Sequence, residues 1–172
     1  MRFLKKYLAK RRELAKFRQS STEEVFTYIH ESNKWGDTQS RSGKGSNLDK
    51  TERIRSELPQ LLEEIQVRSL LDIPCGDYFW MKEVTLPVES YIGADIVAEL
   101  IEENVRNYSN DQRSFQKLNL LEDPLPQVDA IFCRDCLVHF SYADIARAID
   151  NVKASGATWL LTTNFPDQKR NS

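Results

Sequence analysis

Nothing in these 172 residues runs apolar for long. No stretch reaches the ~18 consecutive apolar residues that a membrane-spanning helix needs. The N-terminus is basic but lacks the unbroken apolar core and small-residue cleavage site of a secretory signal. Three cysteines are too few, and odd in number, for a disulfide scaffold; they read as reduced thiols in a cytoplasmic protein. Six glycines are scattered, and none builds G-x-G-x-x-G, so a nicotinamide oxidoreductase is a distant reading. No internal repeat or low-complexity tract occurs. The length suits one domain, burying roughly 70% of its unfolded surface, rather than two.

The net charge of −2 hides an asymmetry. Residues 1–18 hold eight Lys/Arg against Glu13 alone, +7, which leaves −9 for the rest. An acidic body argues against a nucleic-acid platform. Phe3, Leu4, Tyr7, Leu8, Leu14 and Phe17 fall near helical spacing among those basic residues. Two readings stand: a helix in peripheral contact with an anionic membrane or a partner, or a solvated helix packing a few side chains on the body.

Further along, 22–32 reads as a short helix, with Ser21 or Thr22 as N-cap and Glu23 and Glu24 in its first turn. Residues 34–46, KWGDTQSRSGKGS, are a loop. A flexible linker is the default for that composition, but its Trp and basic groups among glycines fit a binding lid better. Residues 47–66 return to helix on a stripe of Leu48, Ile54, Leu58, Leu61, Leu62 and Ile65, with Pro59 bending or restarting it. Short apolar runs at 69–74, 90–97, 114–119, 128–134 and 157–165 then read as strands, and 78–84, 98–108 and 142–155 as helices. The remaining crossover, 121–127, is short and holds two prolines. Such alternation predicts an α/β fold, a mostly parallel sheet with helices on both faces. The chain divides into an N-terminal helical extension and lid loop, 1–66, and a sheet domain, 67–172.

The first strand ends in Leu70-Leu71-Asp72-Ile73-Pro74-Cys75-Gly76-Asp77. Ligands of open parallel sheets bind outside the carboxyl ends of the strands. Gly76 permits a sharp turn there, although a purely structural turn explains it equally well. Asp95 closes the second strand 19 residues later. An acid at that interval suits a ribose diol, since one carboxylate accepts from two hydroxyls. Alone, Asp95 could also be a helix N-cap; with Gly76, it reads as a nucleoside site.

The run 72–77, followed by YIGADI, LNLLEDPLP and VDAIFCRDCLVHFS, resembles the class I S-adenosylmethionine-dependent methyltransferases. More narrowly it is similar to a bacterial branch with W-G-D-x-x-S-R-S-G-x-G-S upstream and C-R-D-x-L-x-H after the fourth strand, a likeness spanning about residues 35–164. The resemblance implies a Rossmann-like methyltransferase fold and S-adenosylmethionine as cofactor. Asp72, Cys75 and Gly76 would surround its methionine part, and Pro74 and Asp77 would also bind the cofactor. Asp95 would hold the ribose, Ile96 the adenine face, and Asn119 and Leu120 the adenine edge. Arg134 and Asp135 would line the methyl-donor side, and Trp35 with residues 40–46, Ser46 included, would fold over the cofactor.

Three positions depart from the family pattern: Pro74 and Tyr78 stand where glycines are usual, and Asn119 where Asp is common. Tyr78 predicts a different loop path. Methyl transfer is an in-line displacement, so the protein mainly positions a nucleophile and removes its proton. His139 and Asp135, at i and i+4 if that segment is helical, are the candidates; the alternative is a packing or capping His. Of Tyr78, Phe79 and Trp80, any could face a cationic sulfonium, with core packing expected for at least two. Cys133-Arg134-Asp135-Cys136 reads as strand alternation rather than a metal or redox site. The acceptor reads as a small molecule or carbohydrate; the alternative is a non-catalytic partner-binding module. The family's sheet has seven strands and five are visible here. A truncated form, a fragment of a longer product, or a homodimer pairing through the fifth strand would each account for that.

Overall fold

The computed structural model describes residues 19–164 together with Tyr7, Arg11 and Phe17. The basic 1–18 segment, apart from those three, and the tail 165–172 lie outside the described residues. The proposed membrane or partner helix lies there too.

Helix α1 (Thr22–Glu31) begins at Ser21 with a capping box: Glu24 N–H donates to Ser21 Oγ at 3.2 Å, and Ser21 N–H to Glu24 Oε2 at 2.7 Å. That exchange satisfies two amides no helical carbonyl can reach. The loop that follows leads into α2 (Leu48–Glu64), which continues through Pro59 and buries Leu58 and Leu62. Then come β1 (Ser69–Asp72), β2 (Ser90–Asp95), α3 (Ala98–Tyr108), β3 (Arg113–Lys117), β4 (Ala130–Cys133), α4 (Tyr142–Ala154) and β5 (Trp159–Thr162).

The sheet order is β3-β2-β1-β4-β5, every neighbouring pair parallel. Strand alternation splits the core in two. Leu70, Tyr91, Phe115 and Phe132 face α2 and α3 through Leu58, Leu62 and Ile101. Leu71, Ala94, Ile131 and Cys133 face α4 and the 120–128 crossover through Ala148, Val152, Leu121 and Val128. Each fully buried Leu or Ile among them contributes about 1.5–3 kcal/mol. At the amino ends of β1 and β4, Asp129 Oδ2 accepts from the amides of Arg68 and Ser69, both at 2.8 Å, and Asp129 N–H donates to Ser69 Oγ at 2.8 Å. Among the described residues β5 is an edge strand, with Trp159 44% exposed. No described helix is long and apolar enough to cross a membrane.

One expected helix is absent. Residues 78–84 form only a single 3-10 turn, Met81–Glu83. Tyr78 has φ +55, which no right-handed helix accommodates, and its ring packs against Tyr91, Tyr108 and Phe115. Arg113 donates to the Tyr78 hydroxyl at 2.7 Å. Tyr78 is thus a left-handed residue anchored in the core.

Candidate functional site

Strand order reverses between β1 and β4, and a cavity of about 470 Å³ opens there beyond the carboxyl ends of the strands. Its floor is the turn after β1. Gly76 has φ +56 and sits beneath Ser42, whose Oγ a Cβ at this position would meet at 2.1 Å. Both Gly76 backbone groups are fixed: its N–H donates to Asp95 Oδ2 at 3.1 Å, and its carbonyl accepts from Asn104 Nδ2 at 2.8 Å. The Cys75 amide donates to Ala94 O at 2.8 Å. The glycine bend and the carboxylate therefore share one cleft.

Asp95 is 6% exposed. Its Oδ1 accepts from Val97 N–H at 2.9 Å, and Val97, not Asp95, is the N-cap of α3. The Ile96 amide also donates to this carboxylate, which retains accepting capacity for a ligand hydroxyl. Burial raises its pKa against the pull of the Val97 and Gly76 amides. Asp72 is buried beside it and accepts from the Tyr91 hydroxyl at 2.6 Å. Burial pushes the Asp72 carboxyl up to about 7; the Tyr91 bond pulls it down, and the nearby Asp95 charge pushes it further up.

The wall after β4 is aromatic. His139 stacks on Trp35 with ring centres 5.6 Å apart, and Phe26 meets Trp35, His139 and Phe140 edge-on. Burial lowers the His139 pKa, partly offset by Asp135, so the ring is neutral near pH 7. Arg134 donates to Gly45 O at 2.9 Å, pairs with Asp135 at 3.0 Å and lies over the Trp80 ring.

Thirteen of the fourteen residues singled out in the sequence line this one cavity: Trp35, Ser46, Asp72, Pro74, Cys75, Gly76, Asp95, Ile96, Asn119, Leu120, Arg134, Asp135 and His139. Asp77 does not; its carboxylate is taken up by the 40–42 loop. The i, i+4 geometry of Asp135 and His139 is also corrected. Asp135 has φ +52 and only Leu137–His139 turns, as a 3-10 helix, so the two are brought together by a loop. Asn119 Oδ1 is engaged by the Leu121 amide at 3.0 Å, and its Nδ2 by Glu122 at 3.1 Å. Of the three aromatics after Gly76, Trp80 lines the cavity, Tyr78 is core, and Phe79 lies beneath Lys82. Cys133 and Cys136 are buried free thiols. The Cys136 pKa is raised by the neighbouring Cys133 thiol and by burial, and no metal-binding cluster exists among the described residues.

Sequence reasoning read α1 as a helix but gave it no part in the site. Thr22, Phe26 and His30 all line the cavity. Their spacing of four was the available signal, since it places them on one helix face. An ion pair holds this helix down, with Glu23 Oε1 2.6 Å from Lys117 Nζ, and His30 Nε2 lies 3.3 Å from Glu99 Oε2.

No family model matches the chain, and no curated protein matches it significantly. Solved structures do. The methyltransferase domain of bacterial CtHen1 aligns at TM-score 0.56 and 13% identity over 67% of this chain and 66% of that one. The amino pentose methyltransferase CalS10 from Micromonospora echinaspora, solved with SAM, aligns at 0.55 and 13% over 69% and 53%. Magnesium protoporphyrin IX methyltransferase from Synechocystis, solved with bound SAH, aligns at 0.60 and 16% over 87% and 74%. The chain thus spans about two thirds of the first of these structures and about half of the second. What it shares with all three is the Rossmann-like methyltransferase fold.

Proposed function

We propose that the protein is an S-adenosylmethionine-dependent methyltransferase acting on a small-molecule or carbohydrate-like acceptor. The observation that carries the reading is the Gly76 N–H to Asp95 Oδ2 contact at 3.1 Å within a cavity of about 470 Å³. A left-handed glycine turn, a buried carboxylate with lone pairs to spare and a volume within the usual range for small-molecule sites fit a nucleoside with a short polar tail.

Bound there, S-adenosylmethionine supplies a methyl group activated by its own sulfonium charge. The chain's residues do the rest. Asp95 accepts the ribose hydroxyls, while Ile96, Leu118 and Leu120 take the apolar base. Asp72, whose carboxyl ionises near pH 7, favours a cation in the cleft once it has lost its proton. The 40–46 loop and α1 exclude water. His139, neutral because it is buried, accepts the acceptor's proton at a ring nitrogen as the new bond forms. Asp135 holds the resulting imidazolium and is itself held by Arg134. The flat faces of Phe26, Trp35 and Phe140 suit a ring or the apolar face of a sugar.

Titration calorimetry with S-adenosylmethionine, S-adenosylhomocysteine and NAD tests the reading. Selective binding of the first two is expected. Binding of NAD instead, or of no nucleotide, overturns it, and the latter outcome leaves a partner-binding module.

A further inference from the structure

The loop across the cavity is fastened from outside the cavity. Asp77 points away from the cleft and gathers three groups of the 40–42 segment. Ser40 Oγ donates to its Oδ1 at 3.0 Å, Ser42 Oγ to Oδ1 at 3.2 Å, and the Arg41 amide to Oδ2 at 2.8 Å. The bond is returned: Asp77 N–H donates to Ser42 Oγ at 3.1 Å. Ser40 is 2% exposed and Asp77 and Ser42 are half-buried, so the joint is partly shielded from solvent. Gly76, next door, leaves room for Ser42 because it has no Cβ. At the far end Arg134 fixes the same loop through Gly45 O. Between these two points run Ser42, Gly43, Lys44 and Gly45, all lining the cavity, with Ser42 against Gly76 and Gly45 against Asp135 and Arg134.

We propose that Asp77 is a positioning residue that latches the 40–46 loop over the cavity, and that the latched loop forms the wall for the amino-acid tail of the cofactor. The proposal rests on the nucleoside reading above. The division of labour is specific. Asp95, Ile96 and Leu120 hold the nucleoside whatever the loop does, whereas the tail meets the loop. Loss of the latch therefore weakens ligands that carry the tail and spares those that lack it.

The loop also carries its own reporter. Arg41 and Lys44 are exposed trypsin sites within the latched segment, so their cleavage rate follows local opening. Asp77→Ala removes every carboxylate acceptor. Ser42→Ala removes only the Ser42 part and is the milder second variant should the first fold poorly. In both, cleavage at Arg41 and Lys44 is expected to rise at least about tenfold, with the urea midpoint lowered by no more than that change in opening accounts for. Affinity for S-adenosylhomocysteine is expected to fall about tenfold, and affinity for methylthioadenosine, which lacks the amino-acid tail, to change less than about twofold. Wild-type cleavage rates in both variants overturn the latch. Equal losses for both ligands overturn the assignment of the loop to the tail. A wild-type protein that binds neither ligand removes the nucleoside reading, and the cleavage rates then judge the latch alone.

Discussion

Replacing Asp95 by Ala tests the ribose assignment most directly. Each charge-assisted hydrogen bond between its carboxylate and a ribose hydroxyl contributes about 1.5–3 kcal/mol, so removing one weakens S-adenosylhomocysteine binding roughly 10- to 150-fold. The structure adds a complication. Asp95 also accepts from Gly76 N–H at 3.1 Å and Val97 N–H at 2.9 Å, and both amides lose their partner in the variant. Part of any affinity loss is then a loosened turn. Calorimetry with S-adenosylhomocysteine and its 2′-deoxy and 3′-deoxy counterparts separates the two effects. The turn is disturbed equally for every ligand, but only the hydroxyl contact disappears when the hydroxyl does. Wild type should favour the ribose form over at least one deoxy form by about tenfold or more, and Asp95→Ala should not distinguish them. A variant that still discriminates as wild type does would refute the carboxylate–ribose contact.

The remaining expectations concern protons and packing. Asp72 has its folded-state pKa raised to about 7, above an unfolded value of about 3.9, so the folded state holds the extra proton between them. Stability from this group is greatest at low pH and declines as pH rises from about 4 to about 7. Urea midpoints from pH 5 to 8 should fall in wild type relative to Asp72→Asn, and parallel curves would contradict the buried acid. For His139→Gln, methyl transfer should lose its acid limb, which lies below the ordinary histidine range because burial lowers the pKa, while S-adenosylhomocysteine affinity holds. An unaltered pH–rate profile would remove His139 as the base. Gly93→Ala places a Cβ 2.5 Å from the Phe115 ring and should destabilise by about 1–3 kcal/mol in urea denaturation, with Phe115→Leu recovering much of it.

Regular elements were legible because local pattern and tertiary demand agree. The amphipathic spacing of Leu100, Ile101 and Asn104 marks α3 at 98–108, where the structure has it. The inner strands β1, β2 and β4 showed as short apolar runs because the sheet is buried on both faces there. Backbone specials were not legible. Tyr78 and Asp135 adopt positive φ without being glycine, and each abolishes a helix that the side-chain pattern suggested. Long-range pairing was equally hidden. Gly76 and Asp95 meet across adjacent strands at a familiar interval, but the Asp77 carboxylate is engaged by residues 35 to 37 positions upstream, and no spacing rule encodes that. The Thr22, Phe26, His30 face was readable in principle, but nothing local indicates that a helix preceding the sheet returns to line the cavity beyond the carboxyl ends of the strands.

The clasp that Asp129 makes beneath β1 and β4 gives the molecule a second, chemically idle end. Arg68 and Glu89, beside it, have side chains about three-quarters exposed that meet in a solvent-facing ion pair. A dye or surface tether at either position would hold the protein with its opening free. Ligand entry could then be followed on immobilised molecules with no chemistry done near the crevice.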